Sequence, residues 1–158
     1  MKGNANVGII VYSFADHTLA VAEKLAQKLS VHGRPVTLVQ LETVTPLKMS
    51  DTTAELRSTP SLDAYGAVVF ACPVRGGMPA PPMRCYLEGL PTLAGKRVLC
   101  LVTGILPAAW GRDQTLAQMT ALCESKGATV AGSGSVWWLS LNRGRQISAV
   151  VDRLIGLL

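Results

Sequence analysis

Short apolar runs alternate with amphipathic segments along the whole chain. Residues 7–12 run apolar and read as a first strand. From position 17 to 29, Leu19, Ala22, Leu25, Ala26 and Leu29 recur at three- and four-residue steps, the spacing of an amphipathic helix. Gly33 follows as its C-terminal cap. Residues 35–41 read as a second strand, and the polar, Thr- and Ser-rich residues 42–63 hold at most a short helix near 51–58. Residues 67–71 make a third strand, 81–90 a helix and 98–102 a fourth strand. The segment 112–126 is a long helix with Leu116, Met119, Leu122 and Cys123 on one face, closed by Gly127. A fifth strand spans 128–139, and a last helix, 146–157, gathers Ile147, Val150, Val151, Leu154 and Leu158. Strands separated by helices are βαβ units, whose right-handed crossovers give a parallel α/β sheet covered on both faces. No repeat or linker interrupts the pattern, so residues 1–158 read as one domain.

The most informative stretch is 66–82. Its apolar run breaks into Cys72-Pro73-Val74-Arg75-Gly76-Gly77, and Pro79, Pro81 and Pro82 lead into a helix, where proline suits the first turn. This is a buried strand with a backbone-exposing loop at its carboxyl end, where open α/β sheets bind ligands. After strand one, Ser13-Phe14-Ala15-Asp16-His17-Thr18 leads straight into a helix. The unpaired amides and positive dipole end of a helix start, with the Ser13 and Thr18 hydroxyls, form a cradle for a phosphate. Asp16 carries a second reading as the helix N-cap, its carboxylate accepting an amide two or three residues on and filling the anion site itself. After strand four, Thr103-Gly104-Ile105 opens a third loop, which contains Trp110 and ends at Gly111.

These loops resemble those of the flavodoxin-like family. Ser13 and Thr18 match the ends of its Ser/Thr-x-Thr-Gly-x-Thr phosphate loop, and His17 its variable position, while Ala15 and Asp16 replace a hydroxyl residue and a Gly. Gly76, Gly77 and the prolines after them match the family's second loop, with Arg75 in place of an aromatic that stacks on the flavin. Thr103 and Gly104 match the start of its third loop, and Ile105 departs from it. The match reaches on through Gly95-Lys96-Arg97 into strand four. The resemblance implies a flavodoxin-like three-layer sandwich, a five-stranded parallel sheet in order 2-1-3-4-5 with helices on both faces. It also implies FMN held at Ser13, Phe14, Ala15, Asp16, His17 and Thr18, with the flavin ring between Pro73, Val74, Arg75, Gly76 and Gly77 on one side and Thr103 and Gly104 on the other. Arg75 is able to stack on the ring and favour its reduced, anionic form, or to point to water. Trp110 reads as an aromatic surface for the ring or as a loop anchor on the core. Trp137 and Trp138, adjacent in a strand, point to opposite faces and read as core, or as part of a homodimer interface.

Composition narrows the classes. Hydrophobic residues make up 49% of the chain and charged ones 16%, which excludes disorder. Apolar runs are too short to cross a bilayer. Residues 7–15 lie behind Lys2 like a signal core, but Asp16 and an amphipathic segment follow without a cleavage pattern, so the run reads as strand one. Cys72, Cys85, Cys100 and Cys123 form no Cys-x-x-Cys pair, and with only His17 and His32 no metal cluster is visible. The expectation is a reduced, soluble, cytoplasmic protein. Its net charge of +5 is spread without basic blocks, a solvated surface and not a nucleic-acid site.

No Ser/His/Asp or paired-carboxylate arrangement calls for separate catalytic residues. The expected function is flavin-borne electron transfer, or an FMN-dependent oxidoreductase acting on a quinone or similar acceptor. A basic chain suits a small-molecule acceptor or an acidic redox partner better than an acidic carrier does. The alternative is a flavodoxin-fold binding or regulatory module that has lost FMN, to which Ala15, Asp16 and Arg75 all point.

Overall fold

Alternation within the central strands sets up two apolar layers. The computed structural model describes residues 5–106 and 110–158. Along the chain run β1 (Val7–Val11), α1 (His17–Val31), β2 (Val36–Gln40), β3 (Ala67–Arg75), β4 (Met78–Pro79), α2 (Pro81–Gly89), β5 (Arg97–Gly104), α3 (Arg112–Ser125), β6 (Thr129–Trp137) and α4 (Arg143–Leu157). The parallel strands lie in the order β2-β1-β3-β5-β6, the 2-1-3-4-5 arrangement expected, and β4 pairs antiparallel with β3. Val7, Ile9 and Val11 of β1, Val69 and Ala71 of β3, and Leu99 and Leu101 of β5 pack against α1 and α4. The residues between them, Ile10, Val68, Phe70, Val98 and Cys100, pack against Met83, Tyr86 and Leu87 of α2 and Met119 and Cys123 of α3. Full burial of each such Leu, Ile or Phe side chain contributes about 1.5–3 kcal/mol.

Three features differ from the sequence pattern. No helix forms between residues 42 and 63. Short side chains there bond the local backbone instead: the Thr43 hydroxyl donates to the Thr45 carbonyl at 2.6 Å, and the Asp51 carboxylate accepts the Lys48 amide at 2.7 Å. Such bonds compete with helix formation. The segment is pinned by a bridge between Thr43 and Leu56 and by burial of Leu62. Secondly, β3 continues past residue 71 to Arg75, because Gly76 and Gly77 make a two-residue turn into β4 with φ of 58° and 75°. Positive φ at both central residues matches the right-handed twist of a hairpin. Thirdly, Trp137, at the end of β6, and Trp138 just after it are half-buried, and Trp138 packs against the margin of the α1/α4 layer without being enclosed by it.

All four cysteines are free thiols; Cys72, Cys100 and Cys123 are buried and Cys85 is exposed. Among the described residues no helix is long and apolar enough to cross a membrane, and no three potential metal ligands cluster.

Two side chains of the α2/α3 layer yield predictions. Thr115 is fully buried, and its hydroxyl has no partner among the described residues. Replacing an unpaired buried hydroxyl with a methyl of the same shape removes its desolvation cost, so Thr115→Val should raise stability by about 1 kcal/mol, read as a higher thermal midpoint. Tyr86 donates to the Pro60 carbonyl at 2.6 Å, and burial, aided by Tyr65, pushes its phenol up to about 12 from 10.0. A raised acid favours the folded state below its unfolded value and loses that contribution as pH rises. Denaturant unfolding should therefore show stability falling from pH 10 towards 12, a slope that Tyr86→Phe flattens.

Candidate functional site at the carboxyl edge of the sheet

The loop after β1 turns into α1 within a few residues. Asp16 makes this turn in the left-handed region, φ 61° and ψ 5°, the sole positive-φ non-glycine residue among those described. Its carbonyl accepts the first helical amide, from Ala20, at 3.0 Å. Its carboxylate caps nothing, contrary to the N-cap reading. With Asp16 in this conformation the capping oxygen is instead Ser13 Oγ, which accepts the Leu19 amide at 3.2 Å. The amides of residues 14–18 have no partner among the described residues. Thr18 is buried, and its hydroxyl meets that of Thr103 at 2.7 Å, tying the first loop to the third. His17 stacks on Trp138 at 4.1 Å between ring centroids, and the Arg143 guanidinium lies 4.4 Å from the same indole. That stack braces the start of α1 against the β6–α4 junction.

The second loop is the β3–β4 hairpin. Arg75 is half-buried, and its Nη2 donates to the Lys48 carbonyl, while Arg84 donates to the Thr52 carbonyl at 2.6 Å. Together they hold the 42–63 segment against this end of the sheet. Cys72 is wholly buried beneath, its Sγ 3.8 Å from Met119 Sδ, and burial pushes the thiol up to about 12. It is a packing residue at neutral pH, since the thiolate is the reactive form.

The third loop rests on Arg112. This residue is 7% exposed; its Nε donates to the Leu106 carbonyl at 3.2 Å and its Nη1 to Ser135 Oγ at 2.9 Å. Burial lowers its pKa, an effect opposed by Asp113. A Cβ at Gly104 would lie 3.0 Å from Arg112 Cγ, so the strand end closes on the arginine stem. Gly111, at φ 144°, brings this loop within 3.3 Å of the Gly77 Cα, measured from the position of an added Cβ. Trp110 is 70% exposed and is therefore no anchor on the core. Residues 107–109 of this loop lie outside the described residues.

The three loops enclose a cavity of about 210 Å³. Ser13, Phe14, Ala15, His17 and Thr18 line it from the first loop, Pro73, Val74 and Arg75 from the second, and Thr103 and Gly104 from the third. Asp16, Gly76, Gly77 and Trp110, also expected at the site, do not line it. Gly76 and Gly77 serve the hairpin turn, and Asp16 is exposed to solvent. Tyr12, Met49 and Ala80 line the cavity without having been singled out by motif, and Ile105, read only as a departure from the third loop's pattern, lines it too. Tyr12, read only as a strand end, had one available signal: it immediately precedes the loop. Burial raises its phenol pKa, and the nearby Arg75 charge opposes the shift. Phe14, Met49 and Ile105 are exposed at the rim, which makes the mouth apolar.

The backbone at position 16 sets a stability order. A left-handed conformation costs a residue with a Cβ about 1–2 kcal/mol, and Asp less than most. Asp16→Ala should lower stability by about 1 kcal/mol while Asp16→Gly changes it by less than about 0.5 kcal/mol, measured by denaturant unfolding. That order reverses the usual preference for Ala over Gly in a helix.

No family model matches the chain, and no curated protein does. Solved structures do match. Oxidised flavodoxin 2 from Bacillus cereus superposes with a TM-score of 0.69 at 17% identity, over 98% of this chain and 100% of that one. A flavodoxin, WrbA-like protein from Agrobacterium tumefaciens gives 0.70 at 15% identity, covering 98% and 99%. A flavoprotein from Lactobacillus acidophilus, solved in complex with FMN, gives 0.66 at 14% identity, covering 92% and 98%. With the strand order and the three carboxyl-edge loops, these matches establish that the chain has the flavodoxin-like fold.

Proposed function

We propose that the cavity binds FMN and that the chain is a flavodoxin-like redox protein acting on a small, apolar acceptor such as a quinone. The observation that carries this reading is the convergence of the three loops on one cavity. Its first wall is formed by Ser13, Phe14, Ala15, His17 and Thr18, where the amides of residues 14–18 are unpartnered among the described residues. Those amides, at the positive end of α1, suit a phosphate. Ser13 Oγ accepts from Leu19 and still has its own proton to donate. Between Thr18 and Thr103 one hydroxyl donates to the other, leaving a second proton to place on a ligand. The Asp16 carboxylate opposes an anion, but it is exposed and outside the cavity. In water a charge pair at contact distance interacts by about 1 kcal/mol, which the cradle is able to offset.

FMN, when bound, supplies the electron or hydride transfer. The chain's own residues hold it, keep water from its buried side and set the local charge. Arg75 in the wall favours negative charge gained by the occupant. The apolar rim of Phe14, Met49 and Ile105 suits contact with an apolar acceptor better than with a charged protein surface.

An FMN titration of the apo-protein, followed by quenching of flavin fluorescence, tests the reading. Submicromolar binding is expected for the wild type and tighter binding for Asp16→Gly. Ser13→Ala should weaken FMN by about fivefold, the loss of one hydrogen bond, and leave riboflavin, which lacks the phosphate, unchanged. No binding by the wild type with recovery in Asp16→Gly would favour a binding module whose own carboxylate excludes the cofactor. No binding by either would end the flavin reading.

A further inference from the structure

One buried polar group in the cavity wall is not used by the fold itself. Tyr12 is 7% exposed, and its phenol oxygen has no hydrogen bond among the described residues; its backbone amide donates to the Ala71 carbonyl at 3.0 Å. Thr115 Oγ1 is the sole fully covered side-chain oxygen or nitrogen without a partner among the described residues. The Tyr12 hydroxyl is therefore not sealed in the core, and its residue lines the cavity. A donor that the fold leaves unpaired in a cavity wall is free to meet a ligand there.

Arg75 stands in the same wall, near enough for its charge to act on the phenol. One of its nitrogens is occupied by the Lys48 carbonyl. No carboxylate pairs with it among the described residues, whose ion pairs are Lys28–Asp152 and Arg84–Glu88. The guanidinium keeps donors to spare and accepts from nothing. The rest of this wall, Val74, Ala80 and Met49, is apolar.

We infer that Tyr12 and Arg75 form a two-donor clasp for a carbonyl or anionic oxygen on the edge of the flat, largely apolar molecule that occupies the cavity. A cationic edge is rejected by Arg75, and an edge carrying only donors leaves the guanidinium unanswered. Tyr12 packs in the layer of α2 and α3, whereas Thr18 belongs to α1, which packs on the opposite face of the sheet, and the unpartnered amides lie at the start of that helix. In its flavin form, which rests on the function proposed above, the clasp therefore grips the ring and leaves the phosphate to the α1 loop.

The test compares wild type, Tyr12→Phe, Arg75→Met and the double variant in titrations with FMN, riboflavin and, as a flavin-independent probe, benzoate. Tyr12→Phe orphans no internal partner, so its thermal midpoint should match the wild type and serve as a folding control. Each single variant should weaken FMN and riboflavin by the same factor, about fivefold or more for one lost hydrogen bond, which separates a ring contact from a phosphate contact. The double variant should lose less than the product of the singles, as expected of groups sharing one oxygen. Flavin binding by Tyr12→Phe equal to that of the wild type would overturn the clasp and leave the FMN reading standing. If the wild type binds neither flavin, the FMN reading falls and benzoate decides. Benzoate binding weakened in both single variants supports the clasp; equal binding in all four proteins, or none in any, overturns it.

Discussion

The parallel pairing of β1 with β3 and of β3 with β5 is the constraint from which the site follows. Strands that point the same way must hand the chain on at the same edge, since each return crosses the face of the sheet through a helix. In this register Val11 stands opposite Ala71 and Pro73 opposite Thr103, so the three outgoing loops begin almost side by side. Only then does a hydroxyl on α1 meet one at the end of β5, 85 positions away, at 2.7 Å. Arg112 completes the arrangement from below. Its buried guanidinium holds the Leu106 carbonyl and Ser135 together, so the third loop is fixed to β6 as well as to β5.

The polarity of the edge is lopsided in a way that constrains any occupant. Amides of residues 14–18 without a partner among the described residues, the Tyr12 phenol and an Arg75 guanidinium without a carboxylate gather at this edge, while the rim is apolar. Such a wall selects for acceptor oxygens on an otherwise apolar body, because an unmet donor in a partly desolvated site is more costly than a missing attraction. The chain's net charge of +5 works in the same direction at longer range.

Much of this was legible in the sequence, and the exceptions share a cause. The five parallel strands, all four helices and the cover on both faces follow from apolar runs and period-3.6 patterns, which depend on near neighbours only. The strand order came instead from the resemblance of the loops to those of flavodoxins. The hairpin at Gly76–Gly77 lay within reach of the same reasoning, since adjacent glycines between two short extended segments are a turn signal. The irregular 42–63 segment was not, because Thr43 and Asp51 choose local backbone partners over helical ones. Tyr12 and Arg112 escaped for a different reason. Their roles lie in what surrounds them, an open cavity for one and the carbonyl of a distant loop for the other, and no local pattern encodes either.

Asp16 shows why a departure from a motif has to be judged by its geometry. At the level of the motif, a carboxylate where flavodoxins carry glycine argues against an anion site. In the structure the residue keeps the left-handed backbone that glycine would supply, and its carboxylate neither caps the helix nor enters the cavity. What glycine supplies in the motif is a positive-φ turn into the helix, and that turn survives at Asp16, with the amides of residues 14–18 unpartnered among the described residues. Ala15 is a different kind of change, since it deletes a donor outright and no turn geometry restores it. Any loss of affinity for a phosphate at this edge therefore traces to the missing hydroxyl at position 15 before the added charge at position 16, because a screened, outward-facing carboxylate acts weakly while an absent hydrogen bond is absent at every ionic strength.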